Sequence, residues 1–225
     1  MIYGKSSAPI QLSIIAFDLD GTLVTTSGIK KGAYLHAMAR FGGGTVDQHE
    51  QAYAKHGTVN RVEQLRRSFA EVNGHLPDDE ASERLVAAYA EYCREREAEA
   101  ELMPGFLTFH RELFHRFPLA VASNAPYQDV LDTCTRLGIA ALFDGLYGHP
   151  TSKAAALRDF ALRKGVTPAE ILYVGDRVED GYAAQEAGTR FCLIDHARHT
   201  PSEQPGLVTS FEELSAHIQD IEVRP

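Results

Sequence analysis

Hydrophobic positions along this 225-residue chain follow two different periods, and the change falls just after the first apolar run. That run, Ile14 to Phe17, is apolar and begins with β-branched residues, which predicts a strand buried on both faces of a parallel sheet. From about residue 29 to residue 100, apolar positions instead recur at helical spacing, most clearly from Val59 to Val72. The pattern therefore predicts an all-helical insertion of about 70 residues after the first strand.

From Met103 onward, short apolar strands alternate with helices. Strands are predicted at residues 119–122, 171–174 and 191–194, with a further short strand or turn within 143–150. Helices are predicted at about 104–117, 127–137, 153–164 and 178–187. A final amphipathic helix is predicted after a capping box formed by Ser210 and Glu213. Alternation of this kind is typical of an α/β fold with a parallel sheet.

Two aspartates, Asp18 and Asp20, directly follow the first strand, at the sheet edge where open α/β proteins bind ligands. Strand side chains alternate between faces, so both carboxylates project to one side if the strand geometry continues through them. Two crowded carboxylates repel each other unless a cation or a proton lies between them. The pair therefore indicates a nucleophile and an acid/base residue, with Mg²⁺ between protein and substrate.

Polar residues also follow the later strands. The hydroxyl, amide and N–H groups of Ser123 and Asn124 are suited to phosphate oxygens, although Ser-Asn is also an ordinary turn sequence. Lys153 would balance charge beside two carboxylates and a phosphoryl group, although an exposed helical lysine is the commoner case. Asp176 follows a glycine and supplies a hard oxygen ligand for Mg²⁺, and Asp180 lies one helical turn further on, where it can support that ligand.

The amino-acid composition argues against several classes of binding partner. A formal net charge of −9 argues against non-specific nucleic-acid binding and against docking on anionic lipid. The apolar run before Asp18 is too short to span a bilayer, and the N-terminus lacks a signal peptide's long apolar segment. Cys93, Cys134 and Cys192 form no C-x-x-C pair, which favours reduced thiols. A cytoplasmic monomer or homodimer is expected, with a small phosphorylated metabolite as its partner.

Taken in order, these motifs resemble the haloacid dehalogenase superfamily, in the branch of phosphatases and phosphomutases that includes phosphoglycolate phosphatases and β-phosphoglucomutases. DLDGTL matches the first motif, Ser123-Asn124 the second, GHPTSK, ending in Lys153, the third, and VGDRVEDGYAAQEAG the fourth. The resemblance implies an α/β fold, a Rossmann-like three-layer core with a parallel central sheet and an α-helical cap domain inserted after the first strand. The core is expected at residues 1–26 and 102–225, and the cap at residues 27–101.

The resemblance also implies roles for the matching residues. Asp18 would attack phosphorus and form an aspartyl-phosphate, while Asp20 would protonate the leaving alcohol and then activate water. Mg²⁺ would be held by Asp18, the backbone carbonyl of Asp20 and Asp176, with Asp180 acting directly or through water. The phosphoryl oxygens would be stabilised by Thr22, Ser123, Asn124 and Lys153.

Substrate specificity is expected in the cap, where His56, Thr58 and Arg61 are the candidate substrate residues. An exposed helical arginine with no such role is an equally good interpretation of Arg61. His196 and His199 are three residues apart beside Asp195, but such a pair on a loop is weak evidence for zinc, and a structural role is favoured.

Three positions depart from the family pattern. Ala154 follows Lys153 where many members have proline, Arg177 stands where serine is frequent, and Thr25 stands where many relatives have a further aspartate. The departure at Ala154 weakens the match to the third motif, whereas those at Arg177 and Thr25 bear on the identity of the substrate rather than on the class of reaction.

Three functions are compatible with these residues. The first is a Mg²⁺-dependent phosphatase acting on a small phosphate monoester, such as a sugar phosphate or a phosphoglycolate-like acid. The second is a phosphomutase, which returns the phosphoryl group to a sugar phosphate. The third, a non-catalytic phosphate-binding module, is disfavoured because Asp18, Asp20, Lys153 and Asp176 are all present.

Two further chemistries of the superfamily are disfavoured. Dehalogenation needs neither a metal nor the second aspartate of the first motif, Asp20. Phosphonate cleavage needs a Schiff-base lysine in the cap, for which Lys55 is a faint candidate.

Overall fold

The computed structural model describes residues 11–56, 61–113, 115–196 and 207–223. The helices and strands of these ranges are, in chain order, β1 (Ile14–Phe17), α1 (Ser27–Phe41), α2 (Val46–His56), α3 (Arg61–Asn73), α4 (Asp79–Arg96), α5 (Phe106–Leu113), β2 (Leu119–Pro126), α6 (Tyr127–Arg136), β3 (Gly145–His149), α7 (Lys153–Lys164), β4 (Ile171–Gly175), α8 (Val178–Ala187), β5 (Arg190–Ile194), β6 (Leu207–Val208) and α9 (Phe211–Val223). They separate into two compact units, one running up to Val24 and from Leu102 onward, the other Thr25–Glu101.

All six strands belong to one sheet in the first unit, in the order β3-β2-β1-β4-β5-β6. Every neighbouring pair is parallel, so the carboxyl ends of the strands meet at one edge. β1 lies between β2 and β4 and is fully buried, as its uninterrupted apolar run predicts. The predicted α/β fold class with a parallel central sheet is confirmed.

Alternation along β1 sends its side chains to two different layers of helices. Ile14 and Ala16 join a buried cluster that contains residues of α7 and α8, among them Leu157, Phe160 and Ala184. Phe17 points to the other face, where its ring lies 5.8–6.3 Å from the rings of Phe106, Phe109 and Phe211 in α5 and α9. The sheet is therefore the middle layer of three, and each face of β1 has its own core.

The second unit is entirely helical within its described residues. Its core is contributed by α1, α3 and α4, and consists of Ala33, Tyr34, Ala37, Met38, Leu65, Phe69, Leu85, Ala88 and Tyr89. Helix α1 approaches α4 closely because Gly32 lacks a side chain, since a Cβ atom there would lie 2.6 Å from the Tyr92 hydroxyl. The unit is closed at its ends by Thr25 and Glu101. The Thr25 N–H donates to the Glu101 carbonyl, and the Glu101 N–H donates to the Thr25 hydroxyl, both at 2.9 Å.

The structure differs from the sequence prediction at α2, at the cap of α9 and at β6, where no strand was predicted. Helix α2 was not predicted, because only His49 and Ala52 of its eleven residues are buried and no apolar stripe results. Lys55 and His56 are the last two residues of α2. The capping box at Ser210 is only half formed: its hydroxyl accepts from the Glu213 N–H, but the Glu213 carboxylate turns to the N–H and hydroxyl of Thr209.

The length and apolar character of the helices can be compared with what a membrane-spanning helix requires. Among the described residues, none of the helices combines the length and apolar character that a membrane crossing needs.

The aromatic core between the sheet and α5 predicts a large cost for truncating Phe109, which is 2% exposed. Phe109→Ala removes ring contacts with Phe17 and Phe211 and leaves a cavity, so we expect the free energy of unfolding to fall by about 3–5 kcal/mol. Urea denaturation measures this change. The control is Leu107→Ala on the same helix, where the side chain is 51% exposed and the cost should stay below about 1 kcal/mol. Equal costs at the two positions would contradict the assigned core.

Candidate active site

Asp18 is the first residue after β1 at the carboxyl edge of the sheet. Its N–H donates to the Val174 carbonyl at 2.8 Å, which extends the pairing with β4 by one residue. Strand alternation then directs the Asp18 side chain to the face of Ile14 and Ala16, which is the face covered by α7 and α8. The side chain is 6% exposed, so its charge needs partners from those helices.

Lys153, the first residue of α7, supplies one of these partners. The helix begins there because the Ser152 hydroxyl caps it by accepting from the Ala155 N–H. The Lys153 ammonium donates to Asp18 Oδ1 at 2.6 Å and to Asp180 Oδ1 at 2.5 Å. Residues 135 positions apart in the chain are thus joined in one buried ion pair, as the motif order led us to expect.

Asp180 lies in the first turn of α8 and is 1% exposed. Besides Lys153, its Oδ1 accepts from the Tyr173 hydroxyl at 3.0 Å, and its Oδ2 accepts from the Arg177 N–H at 3.2 Å. The carboxylate fits against β4 because Gly175 lacks a side chain, since a Cβ atom there would overlap the Asp180 carboxyl carbon. Both oxygens of Asp180 are therefore held by protein donors.

Asp176 completes an acidic cluster with Asp18 and Asp180, in which one carboxylate oxygen of each lies within 4.8 Å of the others. Asp176 Oδ1 is buried and has no hydrogen-bond partner among the described residues. An unpartnered buried carboxylate oxygen is costly, and hard carboxylate oxygens at this spacing are the donors that Mg²⁺ prefers. The residues present therefore fit a magnesium ion.

Burial and crowding shift the ionisation of this cluster. Burial raises the pKa of Asp18 to about 7, while the Lys153 ammonium opposes that rise. Burial also raises the pKa of Asp176 to about 6, against the Arg177 guanidinium, which lies 3.9 Å from Asp176 Oδ2. For Lys153, burial acts to lower the pKa, but Asp18 and Asp180 outweigh it and hold the pKa above its usual value. The lysine therefore stays charged.

Asp20 is placed differently from the expectation of a continued strand. β1 ends at Phe17, and Asp20 forms an isolated bridge with Val24. Its carboxylate is not part of the described acidic cluster, and of the three carboxylates that raise the pKa of Asp18 it has the weakest effect. Alternation along β1 therefore does not determine the direction of the Asp20 side chain.

The three remaining residues of the first two motifs are Thr22, Ser123 and Asn124. The Thr22 side chain is fully buried, and its hydroxyl has no partner within the described ranges. The Thr22 carbonyl contacts His196 Nε2 at 3.0 Å. Ser123 and Asn124 lie within β2 rather than after it, because the strand continues to Pro126. The buried Ser123 hydroxyl accepts from the Ala125 N–H, while Asn124 is exposed. Thr22 thus offers a buried, uncommitted hydroxyl beside the first motif.

The candidate substrate residues belong to the helical unit and have partners inside it. His56 Nε2 lies 2.6 Å from Glu71 Oε2, and Lys55 pairs with Glu71 Oε1 at 2.9 Å. The Arg61 guanidinium lies 4.7 Å from the centre of the Tyr89 ring. Thr58 lies outside the described residues, as does His199.

Two of the three family departures find structural explanations. Ala154 is 2% exposed and packs in the cluster between the sheet and α7, so α7 begins without the proline. Thr25 closes the helical unit through Glu101, as described above.

Sequence reasoning missed Tyr173, which contacts Asp180, and Gly175, which makes room for it. The available signal was a polar-tipped aromatic residue in the otherwise aliphatic strand ILYVG.

The close approach of Gly175 to Asp180 predicts that Gly175→Ala destabilises the protein. The new methyl group would push the carboxylate away from Lys153 and Tyr173, so we expect the free energy of unfolding to fall by about 1–3 kcal/mol. Urea denaturation measures it, with Gly28→Ala as the control, because a Cβ at Gly28 meets no atom within 4 Å. If both changes have the same small effect, Gly175 is not required for this packing.

Comparison with known proteins identifies the family of this chain. The sequence profile of the family described as haloacid dehalogenase-like hydrolase matches residues 15–194. A phosphoglycolate phosphatase of Cereibacter sphaeroides is 28% identical over 209 residues, covering 89% of this chain and 94% of the relative. A pyrophosphatase of Bacillus velezensis is 25% identical over 190 residues, covering 80% and 82%.

The fold also matches solved structures. A haloacid dehalogenase-like family hydrolase from Streptococcus pneumoniae superposes with a TM-score of 0.74 at 24% identity, covering 92% of this chain and 99% of that one. Since the family profile spans well over half of the sequence, the chain belongs to the haloacid dehalogenase-like hydrolase family, and the enzyme class expected from its motifs is confirmed.

Proposed function

We propose that this chain is a Mg²⁺-dependent phosphatase that hydrolyses a small phosphate monoester through an aspartyl-phosphate intermediate. The single observation that carries the proposal is the buried Asp18–Lys153–Asp180 network with Asp176 beside it, at the carboxyl edge of the sheet. This edge is where open α/β sheets bind their ligands. The network combines a carboxylate nucleophile, a fixed positive charge and metal-ligating oxygens.

In the first step, a carboxylate oxygen of Asp18 attacks phosphorus, and the bond from phosphorus to the ester oxygen breaks. Asp20 donates a proton to the departing alkoxide, so that the alcohol leaves neutral. In the second step, Asp20 takes a proton from water, whose oxygen attacks phosphorus and releases inorganic phosphate and Asp18. Dividing the reaction in this way replaces one difficult displacement with two easier ones.

Charge that spreads over the phosphoryl oxygens would be met by donors fixed in advance. The Lys153 ammonium is already held beside Asp18 by two carboxylates, and so does not need to reorganise during the reaction. The other donors in the proposal are the hydroxyl of Thr22, the hydroxyl of Ser123 and the amide of Asn124. Of these, the Thr22 hydroxyl is best prepared, because it is buried without a protein partner in the described ranges.

Mg²⁺ would be held by Asp18, the backbone carbonyl of Asp20 and Asp176. We propose that Asp180 acts through water, because its two oxygens already accept from Lys153, Tyr173 and Arg177. When bound, the ion supplies positive charge that neutralises the phosphoryl oxygens.

Phosphoglycolate is the first substrate to test, because relatives that align along most of this chain carry the name phosphoglycolate phosphatase. We propose that the helical unit is the substrate-selecting cap, with His56, Thr58 and Arg61 contributing to selection. The cytoplasmic location and the monomeric or homodimeric state stay predictions, the second of which sedimentation velocity would test.

The nucleophile assignment predicts that Asp18→Asn lowers kcat for phosphate release by more than about 10³-fold, because an amide cannot form the acyl-phosphate. The measurement is phosphate release from phosphoglycolate, sugar phosphates and nucleotides. A second measurement is acid-stable, hydroxylamine-sensitive phosphate label on the protein, which should appear in the unmodified chain only.

The control for this variant is its stability. Asn has the shape of Asp, so the free energy of unfolding should change by less than about 1–2 kcal/mol. Substantial turnover by Asp18→Asn would overturn the nucleophile assignment. Conversion of a sugar phosphate into its isomer without phosphate release would identify a mutase, and no turnover across the panel would favour a binding module.

The metal assignment predicts that EDTA abolishes turnover and that added Mg²⁺ restores it, because the buried Asp18 and Asp180 share one ammonium and the partly buried Asp176 adds a third carboxylate beside them. Asp176→Asn should raise the Mg²⁺ concentration needed for half-maximal activity by at least about tenfold. Asp159→Asn on α7, whose carboxylate accepts from the Tyr147 hydroxyl, is the control and should leave it unchanged. Full activity in EDTA would refute the metal requirement.

A further inference from the structure

Tyr173 is a fully buried tyrosine in the middle of β4, and its hydroxyl faces two acceptors at the same distance. One is Asp180 Oδ1 and the other is the Ala122 carbonyl, each 3.0 Å away. A phenol has a single proton to donate, and a carboxylate is the stronger acceptor of the two. The Tyr173 hydroxyl is therefore best used as a donor to Asp180.

The phenol reaches both acceptors because it lies across β1. Tyr173 pairs in register with Ala16 on β1, and Ala16 pairs in turn with Ala120 on β2. The methyl group of Ala16 leaves room for the ring to pass over the central strand and reach Ala122 on the far side. Tyr173 thus connects the strand that carries Ser123 with the helix that carries Asp180.

The same hydroxyl is connected to the proposed nucleophile through Asp180 and Lys153. Asp180 Oδ1 accepts from Tyr173 and from Lys153, and Lys153 also donates to Asp18. When the Asp180 carboxylate accepts a hydrogen bond from Tyr173, it competes less strongly for the Lys153 ammonium. How the ammonium is shared between Asp180 and Asp18 therefore depends on the tyrosine.

We propose that Tyr173 is a positioning residue for phosphoryl transfer, which sets how Asp180 divides the Lys153 ammonium between itself and Asp18. The inference rests on the proposed phosphatase function. Without the hydroxyl, Asp180 draws Lys153 away from Asp18, so the attacking group and the developing phosphoryl charge lose part of their positive partner. If Tyr173 only filled space, replacing it with phenylalanine would leave kcat unchanged.

The test compares four proteins: the unmodified chain, Tyr173→Phe, Asp180→Asn and the double variant. Tyr173→Phe should lower kcat by about 10- to 100-fold with KM within about twofold, the loss expected for a hydrogen bond to a charged group. In the Asp180→Asn background, the same change should lower kcat by less than about twofold, because the residue through which Tyr173 acts has lost its charge. Tyr147→Phe is the matched control, since it removes a hydroxyl bonded to Asp159 and Arg163, and its kcat should be unchanged.

The unfolding free energies of the same four proteins provide a measurement that needs no turnover. If Tyr173 and Asp180 are coupled, the two losses of stability are not additive, whereas additive losses would overturn the inference. An equal fall in kcat from Tyr173→Phe in both backgrounds, or no fall beyond that of Tyr147→Phe, would also overturn it. If the unmodified chain releases no phosphate, the proposed function fails by itself, and the unfolding cycle still decides whether Tyr173 holds Asp180.

Discussion

One buried ammonium shared by two carboxylates is the interaction on which the candidate site depends. The Lys153, Asp18 and Asp180 side chains are 10%, 6% and 1% exposed, so none of the three charges is well solvated. Removing the Lys153 ammonium would leave two buried carboxylates without compensation, which costs more than the ion pair itself contributes. The strand order and the positions at which α7 and α8 begin must therefore bring these three side chains together, because none of the three charges is tolerated in the core alone.

The position of Asp18 opposite α7 and α8 follows from the alternation of side chains along β1. Ile14, Ala16 and Asp18 face the layer of α7 and α8, whereas Phe17 faces the aromatic cluster of α5 and α9. A slip of one residue would turn the Asp18 carboxylate into that aromatic cluster and away from Lys153. The apolar packing on both faces of the sheet thus fixes the register of the charged residue, and the stability of the core and the placement of Asp18 are one constraint.

Whether an element could be predicted from the sequence depended on how much of it is buried and how clearly its ends are marked. β1, β4, α7 and α8 were predicted because each is a buried apolar run or a helix with a clear start or stop, and the motif residues at their ends followed directly. Helix α2 was missed because two buried residues leave no stripe, and the continuation of the strand to Asp20 failed because β1 ends at Phe17. Tyr173 was missed because a polar-tipped aromatic residue in an aliphatic strand does not show what its hydroxyl contacts, and only strand order brings Ala16 and Ala122 beneath it.

The boundaries of the helical unit explain how such an insertion can leave the charged network intact. In the first unit, the Met103 N–H donates to the Leu23 carbonyl at 2.8 Å, and Val24 bridges Leu102, so the chain leaves and returns at adjacent residues. In the second unit, Thr25 and Glu101 close the ends of 77 residues in the same way. An insertion whose ends meet imposes little constraint on the host, because the cost of closing a loop grows only slowly with its length. Asp18, Lys153, Asp176 and Asp180 all lie in the first unit, so residues 25–101 can vary without changing which charges meet at the sheet edge.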